Sequence, residues 1–164
     1  MSVRPATTDD LPAIAAIYAH YVVHSVATFE IDAPDVDEWA RRFTAIADRD
    51  LPFLVTERDG AVAGYGYCAP WKERRAYRAT VEDSVYVAPW ALGAGCGAEL
   101  LTALLERCRT IGVREIIAVI ADSGDPASAG LHRRLGFRDA GRLVRVGHKH
   151  GRWIDTLLLQ WSAG

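Results

Sequence analysis

Cysteine is scarce in this chain. Cys68, Cys96 and Cys108 form an odd, widely spaced set with no C-x-x-C pair, so neither a disulfide framework nor a cysteine-based zinc site is expected. Long apolar runs are missing as well. None approaches the ~20 residues that cross a bilayer, and Met1-Ser2-Val3-Arg4-Pro5 lacks the apolar core of a secretory signal. The expectation is a cytoplasmic protein that does not enter a membrane. Neither charge is in surplus: 19 Lys and Arg stand against 21 Asp and Glu, a net charge of −2. No global positive field is left to hold nucleic acid. Repeats, linkers and low-complexity stretches are absent, and 14 Gly and 7 Pro among 164 residues exclude a collagen-like or disordered chain. Residues 1–164 therefore read as one domain.

What is present is patterned. Thr7-Thr8-Asp9-Asp10 offers helix caps before Leu11, Ile14, Ile17, Tyr18 and Tyr21, an apolar set at helical spacing. Pro34 and Asp35 open a second amphipathic helix carrying Trp39, Phe43 and Ile46. Residues 53–58 and 61–69 flank Asp59-Gly60, the signature of a two-residue hairpin turn. Residues 79–87 read as a further strand, followed by a glycine-rich loop and a helix with Leu100, Leu101, Leu104, Leu105, Cys108 and Ile111 on one face. Residues 115–121, near-continuously apolar, predict a strand covered on both faces. A short helix ends at Leu135-Gly136-Phe137, with Gly136 at the position after the cap. Strands over about 142–149 and 152–161 close the chain. The strand–helix–strand crossover from 79–87 to 115–121 makes those two strands parallel. The fold class is α+β, with a central mixed sheet, an antiparallel meander, one parallel crossover pair and flanking helices.

The stretch Val85-Tyr86-Val87-Ala88-Pro89-Trp90-Ala91-Leu92-Gly93-Ala94-Gly95-Cys96-Gly97-Ala98 is strand, glycine-rich turn and helix start. Glycines admit close backbone approach, and the first amides of a helix, with its dipole, suit a phosphate. A P-loop is excluded because Ala98 and Glu99 follow Gly97. A Rossmann fingerprint is excluded by the mid-chain position and by a third glycine one residue early.

The order of elements and the V-Y-V-x-P…G-x-G-x-G string resemble the GNAT superfamily of N-acetyltransferases. More closely, the chain is similar to the phosphinothricin and methionine sulfone/sulfoximine acetyltransferases. The carriers are Ala27 to Glu30, Pro70 to Tyr77, Thr80 to Val87, Ala118-Val119-Ile120, Asp125 to Ser128, Leu131-His132 and Lys149 to Trp153. The resemblance implies acetyl-CoA as cosubstrate, held by Val85, Tyr86, Val87, Leu92, Gly93, Ala94, Gly95, Cys96, Gly97, Ala98, Asp125 and Ser128. It also implies a small-molecule amine acceptor and a homodimer. Two positions depart from the family pattern: Leu92 stands where the family has Gln or Arg, and Asp125 where it usually has Asn.

Acetyl transfer to an amine needs a group to remove a proton, and a carboxylate serves. Glu82 and Asp83 are adjacent on a strand and face opposite sides. Alternation does not choose between them, because Asp83 shares parity with Val81, Val85 and Val87. The resemblance selects Glu82 as base, and places His132 where it hydrogen-bonds substrate or relays the proton that leaves with the thiol. A histidine on the helix surface is the plainer reading of His132. The loop from Trp71 to Arg78 concentrates cations and aromatics; on composition it is a solvated loop or a minor nucleic-acid patch. The resemblance assigns Lys72, Arg74 and Tyr77, with Phe29 and Glu82, to binding an acidic amino-acid analogue such as phosphinothricin. His20 and His24, and His148 and His150 alternating on a strand, form pairs without a third ligand, so no metal is expected. The alternatives are a GNAT enzyme for another small amine or protein N-terminus, and a non-catalytic acyl-CoA-binding module.

Overall fold

The computed structural model describes residues 3–164. Among these residues the chain runs β1 (Val3–Pro5), α1 (Leu11–His24), α2 (Val36–Ala47), β2 (Phe53–Arg58), β3 (Ala61–Pro70), β4 (Thr80–Val87), α3 (Cys96–Thr110), β5 (Glu115–Ala121), α4 (Ala127–Arg134), β6 (Arg138–Lys149) and β7 (Arg152–Ser162). The strands form one seven-stranded sheet in the order β1-β2-β3-β4-β5-β7-β6. Every neighbouring pair is antiparallel except β4 and β5, which are parallel as the crossover requires.

Local chemistry explains the elements. Asp35 caps α2 by accepting from the Glu38 amide at 2.8 Å. Asp59 and Gly60 both adopt positive φ, 52° and 78°, the primed turn their sequence predicts. Strand alternation splits the core in two. Phe53, Val55, Ala63 and Tyr65 face α1 and α2, where Ile14, Tyr18, Trp39 and Ile46 cover them. Leu54, Cys68, Val81 and Ile116 face α3, with its Leu100, Leu101, Leu104 and Cys108.

Three expectations are corrected. The β5 run is not covered on both faces: Ile116 and Ala118 are buried, but Val119 is 38% exposed, because the outer half of this strand lines a cleft. Strand β6 begins at Arg138, where backbone pairing to Gln160 and Leu159 holds a polar stretch with no alternating apolar signal. His150 does not alternate with His148 on a strand; it takes a left-handed turn position, φ 51°, beside Gly151 at φ 75°.

The feature that positions the site is a parting of strands. β4 and β5 pair only through Thr80–Glu115, Val81–Ile116 and Glu82–Ile117. β4 then continues to Val87 along β3 while β5 continues to Ala121 along β7. A gap opens between them from Asp83 onward.

Candidate active site

A cavity of about 760 Å³ fills that gap. Its walls are the parted ends of β4 and β5; the glycine loop lines it beyond Val87, Glu82 lines it where the two strands still pair, and Phe29 and Tyr67 also stand in its wall. From Glu82 to Val87 the strand advances roughly 17 Å, so the cavity suits a long, thin ligand with an anionic end at the loop.

The loop is built for that anion. Gly93 and Gly95 adopt φ 79° and 82°, with open space where a side chain would project. Only glycine takes these angles without strain. Gly95 starts α3, whose first bond back runs from the Glu99 amide to the Gly95 carbonyl. The amides of Cys96, Gly97 and Ala98 therefore have no partner within the helix, and the dipole favours a negative group there. Glu99 would oppose such a charge, but Arg58 pairs with it at 2.7 Å. Gly97 serves closeness, because a Cβ there would meet Leu131 of α4 at 3.2 Å.

Of the residues assigned to the cofactor, Val85, Tyr86, Val87, Leu92, Gly93, Gly95, Cys96, Gly97, Ala98, Asp125 and Ser128 line the cavity. Ala94 does not; its carbonyl accepts from Arg58. Leu92 is 63% exposed and presents an apolar side chain at the glycine loop. Among the described residues, Arg134 is the cavity's single lining Arg or Lys, a cation that no motif in the sequence marks.

Glu82 lies on the α1/α2 side of the sheet and half-buried in the cavity. Burial raises its pKa above the ordinary glutamate value, the Asp83 charge adds to the rise, and Lys72 opposes it. A raised pKa makes a carboxyl a stronger proton acceptor once it is ionised. His132 is not a surface histidine. It is 4% exposed, with Nδ1 2.8 Å from the Ser128 carbonyl and Nε2 2.7 Å from Asp83 Oδ2. Burial acts to lower its pKa, but the Asp83 hydrogen bond and charge, with the Ser128 carbonyl, outweigh it and the net shift is upward.

The assigned acceptor-binding residues divide. Phe29 lines the cavity beside Thr28 and Tyr67, and its ring fills the space where a Cβ on Gly147 would sit. The α1–α2 loop that carries it is pinned from β6 by the buried Lys149, which donates to the Thr28 carbonyl at 2.8 Å, and from α2 by Arg42, paired with Glu30 at 2.6 Å. Lys72, Arg74 and Tyr77 do not line the cavity. Lys72 lies over the Trp71 ring at 4.8 Å, Arg74 precedes a 3-10 turn over Arg75–Tyr77, and all three are exposed. Among the described residues, no group of three or more His, Cys, Asp or Glu gathers to hold a metal ion, and no helix is long and apolar enough to cross a membrane.

Comparison with known proteins gives consistent findings. The family described as acetyltransferase (GNAT) domain matches residues 3–158. The phosphinothricin N-acetyltransferase of Alcaligenes faecalis is 51% identical over 159 residues, covering 97% of this chain and 81% of that protein. An L-methionine sulfoximine/L-methionine sulfone acetyltransferase of Pseudomonas paraeruginosa is 41% identical, covering 97% and 92%. A phosphinothricin acetyltransferase from Sinorhizobium meliloti, solved in complex with acetyl-CoA, superposes with a TM-score of 0.96 at 43% identity, covering 99% of this chain and 88% of that one.

Proposed function

Given that the chain belongs to the GNAT acetyltransferase family and is an acetyl-CoA-dependent enzyme, we propose that its acceptor is the α-amine of a small acidic amino-acid analogue. Phosphinothricin, methionine sulfone and methionine sulfoximine are the class in view, since relatives at 41–51% identity are named for acting on them. The observation that carries this reading is the single cavity that joins the glycine loop to Glu82 and Phe29 through the parted strands.

The residues fit acetyl-CoA. The amides of Cys96 to Ala98, with Arg134, hold its phosphates, and the facing edges of β4 and β5 hold its pantetheine arm. When bound, it supplies an acetyl group activated as a thioester. Glu82 takes the proton of the attacking amine, directly or through a water. An α-amine has an ordinary pKa of about 7.7–8.0, so a base with a raised pKa is matched to it. Phe29 and Thr28 wall the acceptor end. Lys72, Arg74 and Tyr77 stand outside the cavity, and we assign them to drawing in an anionic acceptor from the rim. The cytoplasm, where acetyl-CoA is plentiful, is the compartment that fits this chemistry.

We also infer a homodimer. Strand β6 is a sheet edge, and Leu143, Val144 and Val146 on it are 47%, 56% and 53% exposed. Such an apolar edge invites a second copy.

The experiment is thiol release from acetyl-CoA with phosphinothricin, methionine sulfone and methionine sulfoximine offered separately. Acceptor-dependent release supports the assignment. Release with a neutral primary amine but with none of these three overturns it.

A further inference from the structure

Asp83 has no part in the chemistry assigned so far, yet it is a buried carboxyl in the wall of the cavity, 7% exposed. It leaves β4 on the α3/α4 side, opposite Cys68 of β3. Its Oδ2 meets His132 Nε2 at 2.7 Å, and its Oδ1 is buried with no partner. The other histidine nitrogen faces the Ser128 carbonyl at 2.8 Å. A carbonyl only accepts, so Nδ1 carries a hydrogen. One more proton lies between Nε2 and Asp83, and a carboxylate paired with an imidazolium satisfies both ends.

The surroundings leave Asp83 in charge of that ring. Glu82, its neighbour on β4, points to the other face. Cys68 of β3 and Cys108 of α3 lie behind Asp83, their sulfurs 3.7 Å apart, and the hydrogen bond with Cys108, with burial, pushes Cys68 up, away from ionisation. On α4 itself, Arg133 is paired with Asp139 and Arg134 faces the cavity. β5 contributes only apolar Ala118 to Ala121, β7 contributes Thr156, and Phe137 stacks edge-on at 4.8 Å.

We propose that Asp83 is a positioning residue for acetyl transfer: it acts through His132, locking that ring as a buried imidazolium in the cavity wall, where its charge supports the sulfur as the thioester is cleaved. This rests on the acetyl-transfer reading. A nitrogen–carbon bond forms, the carbon–sulfur bond breaks with its electron pair left on sulfur, and the amine proton goes to Glu82. The two sides of β4 divide the work: Glu82 receives a proton on one face, and His132 offers a positive charge from the other. With both nitrogens engaged inside the protein, His132 is not the base.

The test is an NMR titration of the histidine rings in the protein without ligand, together with pH–rate profiles for the wild type, Asp83→Asn, His132→Asn and the double variant. His132 is expected to stay charged above the ordinary histidine range, and Asp83→Asn to lower its titration. The alkaline limb of kcat should move down in parallel. At neutral pH, kcat should fall about tenfold while KM for acetyl-CoA changes less than about twofold, and Asp83→Asn should add little to His132→Asn. A His132 already neutral at pH 7 in the wild type overturns the proposal, as does an Asp83→Asn variant that leaves both the titration and the alkaline limb in place. The titration needs no turnover, so a failed acceptor assignment does not register in it.

Discussion

Glu82 and Asp83 leave β4 on opposite faces of the sheet, yet both carboxyls line one cavity. This is possible because the sheet parts at that point. A side chain on either face reaches the gap once there is no neighbouring strand to separate the two sides.

Glu82→Gln removes the proposed base and keeps the shape. A base works deprotonated, and burial raises the pKa of Glu82, so the wild-type rate should fall as pH drops through that raised value. The variant should lose about 10²–10⁴-fold in kcat, together with that acid limb, while binding acetyl-CoA nearly as well. Initial rates across pH, with calorimetric binding of acetyl-CoA, check both parts.

Leu92 presents an exposed apolar side chain at the glycine loop, where the proposed function puts the phosphates of acetyl-CoA. Leu92→Arg should add one charge-assisted contact at a solvated rim, about 1 kcal/mol, or roughly a fivefold lower KM for acetyl-CoA. Its salt dependence should steepen, and kcat should hold. An unchanged KM would place the phosphates elsewhere.

A Cβ on Gly147 would lie 2.4 Å from the Phe29 ring. Gly147→Ala should therefore displace Phe29, costing about 1–3 kcal/mol of stability as overpacking does and raising KM for the acceptor more than for acetyl-CoA. Phe29→Leu in the same background should restore part of the stability. Thermal unfolding and steady-state kinetics measure the two effects.

Val146→Glu places a charge on the apolar outer edge of β6. A dimer formed through that edge should dissociate to monomers, read by sedimentation, with the fold retained by circular dichroism.

Asp10, 6% exposed, accepts two bonds from Arg4 at 2.8 and 2.9 Å and one from the Thr7 amide at 2.8 Å. The Arg4 hydrogen bond holds its pKa below the ordinary 3.8. A carboxyl lowered on folding stabilises above its unfolded pKa, and that stability drains away as pH falls through the folded value. Asp10→Asn should lower Tm at neutral pH and flatten its decline below about pH 4.

Much of the fold was legible in the sequence because local patterns decide it. The hairpin at Asp59-Gly60, the Asp35 cap, the α3 apolar face as far as Cys108 and the parallel crossover all follow from turn chemistry and periodicity, whereas Ile111, expected on that face, lies past the helix end and is 39% exposed. The glycine loop was legible as a turn that needs glycine, and Gly93 and Gly95 take the positive φ it calls for. The start of β6 at Arg138 was not, since polar residues there are held by backbone pairing alone. The parting of β4 from β5 left no mark either, because Ile117 to Ala121 are apolar whether they face a helix or a cleft. Asp83 and His132 are 49 residues apart, and only the docking of α4 onto the sheet joins them. The loop from Trp71 to Arg78 announced its charge but not its position outside the cavity.

Among the described residues, three ladder pairs, from Thr80–Glu115 to Glu82–Ile117, are the strand pairing that joins β1 to β4 to the leaf made of β5, β7 and β6. The sheet is thus a hinged pair of leaves with a short spine. A ligand lying between the leaves and bonded to both ties them together, as a second row of stitches would. Its mechanical reach then exceeds its contacts: amides of β7 and β6, strands away from any bound molecule, should exchange their hydrogens more slowly once the two leaves can no longer swing apart.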